Sequence, residues 1–193
     1  GSDHMPYSIR HMRWEPGSAE PPPDDPADRA GGRQRKLIAE TAMMRSTFKN
    51  NAEWLEADGL GGFASGTVGG ARTRRYHALL LVATRPPADR FVLVNGLDAW
   101  IEVKDKRYAL SSQRYTPDVV HPDGATRIES FTLDPWPTWT FGLTASARIT
   151  YEIVALHDMP TVVLRWRLAG QLPGAQLRVR LLLSGRDPHA LHH

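Results

Sequence analysis

"TVVLRWRL", residues 161–168, and "QLRVRLLL", residues 176–183, decide the fold class. In the first, Val162, Leu164, Trp166 and Leu168 fall on one side, with Arg165 and Arg167 on the other. The second sets Leu177, Val179, Leu181 and Leu183 against Arg178 and Arg180. "RITYEIVAL", residues 148–156, repeats the pattern, with Ile149, Tyr151, Ile153 and Ala155 opposite Thr150 and Glu152. Successive side chains of an extended backbone point to opposite faces, so alternation this regular predicts half-buried antiparallel strands. Turn-forming runs separate them: "HPDGAT" at 121–126, "DPWPT" at 134–138, "HDMP" at 157–160 and "AGQLPGA" at 169–175. "ATRIESFTL", residues 125–133, adds another strand, and "FVLVNGLDAWIEV", residues 91–103, reads as a hairpin turning at Asn95-Gly96. Eight or more strands, with no long helix after residue 47, predict an all-β antiparallel sandwich.

The segment before this body differs in kind. GSDHM, residues 1–5, resembles a cloning scar and is set aside. "EPGSAEPPPDDPADRAGGRQ", residues 15–34, holds nothing more apolar than alanine and cannot offset its ordering entropy by burial, so it reads as a linker-like extension. "YSIRHMRW", residues 7–14, has the makings of an added strand, and "RKLIAETAMMRS", residues 35–46, of a short helix. Residues 1–47 therefore form an extension, and the sandwich spans 48–193.

The 193 residues are 41 % hydrophobic and 23 % charged, enough to build a core. A net charge of +3, spread over single basic residues, does not point to nucleic acid. No cysteine is present, which removes disulfides and thiolate metal sites. No apolar run approaches the roughly 18 residues of a membrane span, and no signal peptide opens the chain, so a soluble, cytoplasmic protein is expected.

Chemistry concentrates in "GLGGFASGTVGGARTRRYHALLLV", residues 59–82. A phosphate-binding loop needs Lys and Ser or Thr after its last glycine, then a helix. Here Gly70 is followed by Ala71 and Arg72 and then by strand formers. Ser65 lacks the glycine two positions before it that a nucleophile elbow requires. The glycines are better suited to bends and close backbone approach. If 72–82 is a strand, Arg74 and Tyr76 share one face, Arg75 and His77 the other, and at least one arginine borders a buried layer. The structural alternative is an ion pair with a hydrogen-bonded histidine; the functional one is a ligand-facing cluster.

These residues resemble a family. "EWLEADGLGGFASGTVGGARTRRYHALLLVA", residues 53–83, is similar to the opening block of bacterial and archaeal glycogen debranching enzymes, the amylo-α-1,6-glucosidases. That block runs EWL, then NGLGG-aromatic-ASGT, then TRRYHGLL, with Asp58 here in place of Asn and Ala78 in place of Gly. "ESFTLDPWPTWTF", residues 129–141, resembles the family's F-x-x-DP-x-P-x-W-T segment, "TVVLRWRL" its next strand, and "LLLSGRDPHALHH", residues 181–193, its RDYH segment with Pro188 replacing Tyr.

The resemblance implies an N-terminal β-sandwich, similar to the supersandwich of glucoamylase-type enzymes, that precedes an (α/α)6 catalytic barrel absent from this chain. The hydrolytic carboxylate pair, about 5 to 9.5 Å apart in glycosidases, then lies in the barrel, and the fragment is expected to be inactive. No catalytic residue, cofactor or metal is nominated. Expected partners are the chain's own barrel and glycogen or another branched α-glucan.

The substrate-binding or barrel-facing candidates are Arg74, Arg75, Tyr76, His77, Trp139, Arg186, Asp187 and His189. Trp136 and Trp139 could stack on sugars, held by the trans, restricted backbone around Pro135 and Pro137, with core packing the expected use of at least one. His189 and His193 share a helical i, i+4 spacing but lack a third metal ligand, while His121 and His157 sit in turn sequences and are expected to be solvated. A stand-alone carbohydrate-binding module and a purely structural or assembly domain are the alternative readings. An exposed apolar patch is expected where the barrel docks.

Overall fold

A computed structural model describes residues 50–189. The strand expected at 7–14, the helix at 35–46, the boundary near Phe48 and His193 all lie outside the described residues. Within them the chain is all-β, with twelve strands, one 3-10 turn over Gly124–Arg127 and no α-helix.

Strands β1 (Glu53–Ala57), β2 (Phe63–Thr67), β3 (Ala78–Arg85) and β4 (Ala88–Val103) form an antiparallel meander. β5 (Lys106–Ala109) turns back onto β4, and β12 (Gln176–Arg186) completes this first sheet in the order β1-β2-β3-β4-β12. β6 (Gln113–Tyr115) and β7 (Val119–His121) make a separate two-stranded ribbon. The second sheet has the order β11-β10-β9-β8, from β8 (Ile128–Thr132), β9 (Thr138–Gly142), β10 (Arg148–Ala155) and β11 (Val162–Ala169). The expected turn sequences at 134–138, 157–160 and 169–175 connect these strands.

One buried cluster draws on both sheets, which makes the arrangement a sandwich. The inward residues of β10, Ile149, Tyr151 and Ile153, are buried, as alternation predicts. A column of aromatic rings crosses the interior. Trp54 meets Trp139 edge-on at 5.4 Å, Trp139 stacks on Tyr151 at 5.3 Å, and Tyr151 stacks on Trp166 at 4.7 Å. Such contacts add about 0.5–1.5 kcal/mol each beyond the area they bury.

Three expectations for the strands and their connections fail. Asn95-Gly96 is not a hairpin turn: β4 runs straight through it, because β12 pairs along the strand from Gln176 opposite Glu102 to Arg186 opposite Val92. Asn95 is skipped in that pairing, since Leu182 faces Gly96 and Leu183 faces Val94. This bulge also breaks the alternation of β12, so Leu183 is 67 % exposed instead of buried. Finally, the Asp134–Pro135 bond is cis rather than trans.

Candidate functional site

The segment 72–77 is a turn, not the start of a strand; β3 begins only at Ala78. Side chains capture its backbone before a strand partner can. Thr67 donates its hydroxyl to the Ala71 carbonyl at 2.6 Å, and Ser65 donates to the Tyr76 carbonyl at 3.3 Å. The Thr73 N–H donates to His77 Nδ1 at 3.2 Å, and the His77 N–H donates to the Arg74 carbonyl at 3.1 Å. The alternation expected for a strand is therefore not realised. Arg74, Arg75 and Tyr76 are all exposed, His77 is buried, and Arg72 is the arginine that borders the interior.

The buried end of this turn is a charged clamp. Because His77 Nδ1 accepts from the Thr73 N–H, its neutral ring carries the proton on Nε2, which lies 3.4 Å from Glu53 Oε1. The same carboxylate oxygen binds the Arg74 guanidinium. Burial holds the His77 pKa below its usual value, against the opposing pull of the Glu53 charge. The hydrogen bond from Arg74 lowers the Glu53 pKa. Arg74 and His77 thus tie the turn to β1.

The exposed end meets the C-terminal segment, more than a hundred residues away in sequence. The Tyr76 hydroxyl lies 2.9 Å from His189 Nδ1, and the two rings meet edge-on at 5.5 Å. Arg75 Nη1 donates to the His189 carbonyl at 3.2 Å, and Arg186 Nη2 donates to the Arg75 carbonyl at 2.6 Å. Arg186 also reaches Asn95 Oδ1 at 3.4 Å, so the bulge residue of β4 joins the corner. Asp187 Oδ1 accepts from the His189 N–H at 2.7 Å and sets the path of the segment. Pro188 is buried, and its carbonyl accepts from Arg186 Nη1 at 3.5 Å.

Seven of the eight candidates therefore share one corner of the first sheet. Trp139 does not. It is 4 % exposed, and its indole N–H donates to the Val68 carbonyl at 2.9 Å, so its ring belongs to the core and not to a solvent-facing wall. Trp136 is half-buried and donates to Glu152 at 3.2 Å. His121 and His157 are exposed, as expected.

Glu53 and Asn95 also belong to the corner, and the sequence pattern marks neither. Glu53 opens the EWL block, yet nothing in its spacing marks it as the partner of residues 21 and 24 positions later. Asn95 was hidden by its turn-like neighbour Gly96.

Upstream, Asp58 closes the β1–β2 loop. Its Oδ1 accepts from the N–H groups of Leu60 at 2.8 Å and Gly62 at 2.9 Å. An Asn side-chain oxygen can accept the same two bonds.

The corner offers exposed guanidinium, phenol, imidazole and carboxylate groups within reach of one another. That set suits multiple hydrogen bonds to a polyhydroxylated ligand, with the exposed Tyr76 ring as an apolar face. Among the described residues no group of three or more His, Asp or Glu is placed to hold a metal ion. No helix among them is long and apolar enough to cross a membrane.

No curated protein and no solved structure gives a significant match to this chain. The family model described as "Glycogen debranching enzyme N terminal" matches residues 52–193. That match takes in the glycine-rich loop, the 72–77 turn, every described strand and the C-terminal half of the corner, and on it the chain belongs to the glycogen debranching enzyme N-terminal family.

Proposed function

We propose that this chain is the non-catalytic N-terminal domain of an enzyme that hydrolyses α-1,6-glucosidic branch points. In this reading it packs on an (α/α)6 catalytic barrel and supplies one wall of the glucan cleft. The observation that carries it is the convergence of Arg75, Tyr76, Arg186 and His189 from opposite ends of the domain onto one exposed corner. A structural role is served by the contacts of Glu53 with Arg74 and with the buried His77, which tie the turn to β1 without using the exposed Tyr76 ring or the Asp187 carboxylate. Stacking of a glucose ring on Tyr76, with Arg75 and Asp187 on its hydroxyls, uses both.

The chain alone is then inactive on branched limit dextrin, and the barrel supplies the carboxylates that act on the bond. The test is steady-state kinetics of Arg75→Ala and Tyr76→Ala in the debranching enzyme carrying this domain. The reading predicts at least a fivefold rise in KM for limit dextrin with thermal stability retained. Unchanged kinetics with reduced stability would show the corner to be structural.

A further inference from the structure

Arg72 sits at the inner margin of the corner. Its Nη1 rests against Gly96, where an added Cβ would collide with it, so the guanidinium lies in space that a glycine leaves open. Asn95, the residue before, accepts from Arg186, and Arg186 is near enough to Arg72 to act against its charge. Arg72 therefore adjoins the corner.

It differs from its neighbours in what it binds. Arg74 pairs with Glu53, and Arg75 and Arg186 donate to carbonyls. Burial lowers the Arg72 pKa, so its guanidinium has lost part of its hydration. Asp98 is the carboxylate whose charge favours it most, but Oδ1 of Asp98 accepts from Gln113 and Oδ2 from Arg180. Among the described residues Arg72 makes no hydrogen bond and no ion pair. A partly buried guanidinium with its donors unused is costly.

Asp98 also ties in the β6–β7 ribbon. Gln113 of β6 is buried, and its amide nitrogen donates to the Leu97 carbonyl and to Asp98 Oδ1, both at 3.0 Å. Tyr115 lies two positions further along β6, within electrostatic range of both Arg72 and Arg180. Val119 stands directly opposite on β7, so the two side chains share one face of the ribbon. Tyr115 is 53 % exposed and Val119 52 %, and neither joins a buried cluster. From Arg180, opposite Asp98, to Arg186, opposite Val92, β12 covers about 20 Å at the ordinary strand rise. Several linked sugar rings fill such a span, and a single ring does not.

We propose that Tyr115 and Arg72 form a second glucose-binding position that continues the Tyr76 corner. The ring stacks on a sugar face and the guanidinium donates to adjacent hydroxyls, so the first sheet takes a linear run of α-linked glucose units. This rests on the reading of the corner as glucan-facing, and it adds a preference for longer chains.

The test is inhibition of limit dextrin hydrolysis by maltotriose and by maltoheptaose, in the debranching enzyme carrying this domain. Maltoheptaose should inhibit at least tenfold more tightly than maltotriose. Tyr115→Ala and Arg72→Gln should each reduce that ratio at least threefold, by weakening maltoheptaose while maltotriose stays within twofold. Tyr115→Phe keeps the ring and should keep the ratio, whereas Tyr76→Ala should weaken both inhibitors. An unaltered ratio in Tyr115→Ala, or equal weakening of both oligosaccharides, overturns the proposal. So does lost turnover at an unaltered ratio, which would make the ribbon a docking surface for the barrel. If Tyr76→Ala leaves both inhibitors unaffected, the corner itself does not face glucan, and the proposal falls with that reading. Should Arg72→Gln fail to fold, Tyr115→Ala against Tyr115→Phe, at an exposed position, decides it.

Discussion

The interior of the sandwich and the corner at 72–77 hold together distant segments by different chemistry. In the interior, Trp54, Trp139, Tyr151 and Trp166 join the two sheets through ring contacts and burial. At the corner, Arg75, Tyr76, Arg186 and His189 join residues more than a hundred positions apart through hydrogen bonds in contact with water. Burial of a large aromatic is worth several kcal/mol, whereas an exposed hydrogen bond exchanges one polar partner for water and is worth about 1 kcal/mol or less. The interior therefore carries stability, and the corner serves recognition in the function proposed above.

The largest effect that would break this contrast is at Trp139. Trp139→Ala removes the ring at the centre of the aromatic column and the bond to the Val68 carbonyl, and should cost about 3–5 kcal/mol. Urea unfolding measures it, and a loss below about 1 kcal/mol would mean that the column is not the seat of stability.

An intermediate effect sits where the two regions meet, at His77. Its folded pKa lies below the unfolded value near 6.5, so the unfolded chain takes up the proton more readily. Its contribution is complete above about pH 6.5 and is lost as pH falls through the folded pKa. Glu53, also lowered in the folded state, acts in the same direction at lower pH, below about 4.5. Urea midpoints should thus fall between pH 7.5 and pH 5.5 in the unaltered chain, and fall less in His77→Asn. An equal slope in both would show that His77 is not the titrating group.

The same clamp offers a sharper reading by NMR. Glu53→Gln removes the negative charge that raises the His77 pKa, so the His77 ring resonance should titrate at lower pH. A shift to higher pH would contradict the interaction of the Glu53 charge with that ring. The smallest effect belongs to Tyr76→Phe, which deletes only the exposed bond to His189 and should change stability by less than about 1 kcal/mol.

The same division explains what could be read from the sequence. Side-chain period is a property of burial, so β10, β11 and most of β12 were evident from Ile149 to Leu181. Leu183 was misplaced because a bulge is set by the partner strand, here at Asn95, and leaves no trace in the strand's own pattern. The 72–77 turn leaves no mark in the alternation, because Ser65, Thr67 and His77 satisfy its backbone from outside the period. The corner itself was named by family resemblance, which carries information about long-range pairing that composition and spacing lack. Trp139 came with that resemblance too, and its packing against Tyr151 and Val68 assigns it to the core.

The central claim is that the 73–77 and 186–189 segments together face glucan. Hydrogen–deuterium exchange of the debranching enzyme carrying this domain, with and without maltoheptaose, tests it directly. The account predicts slower exchange at both segments on ligand addition and little change at β9 and β10. Protection confined to other parts of the domain, or none within it, would contradict the account.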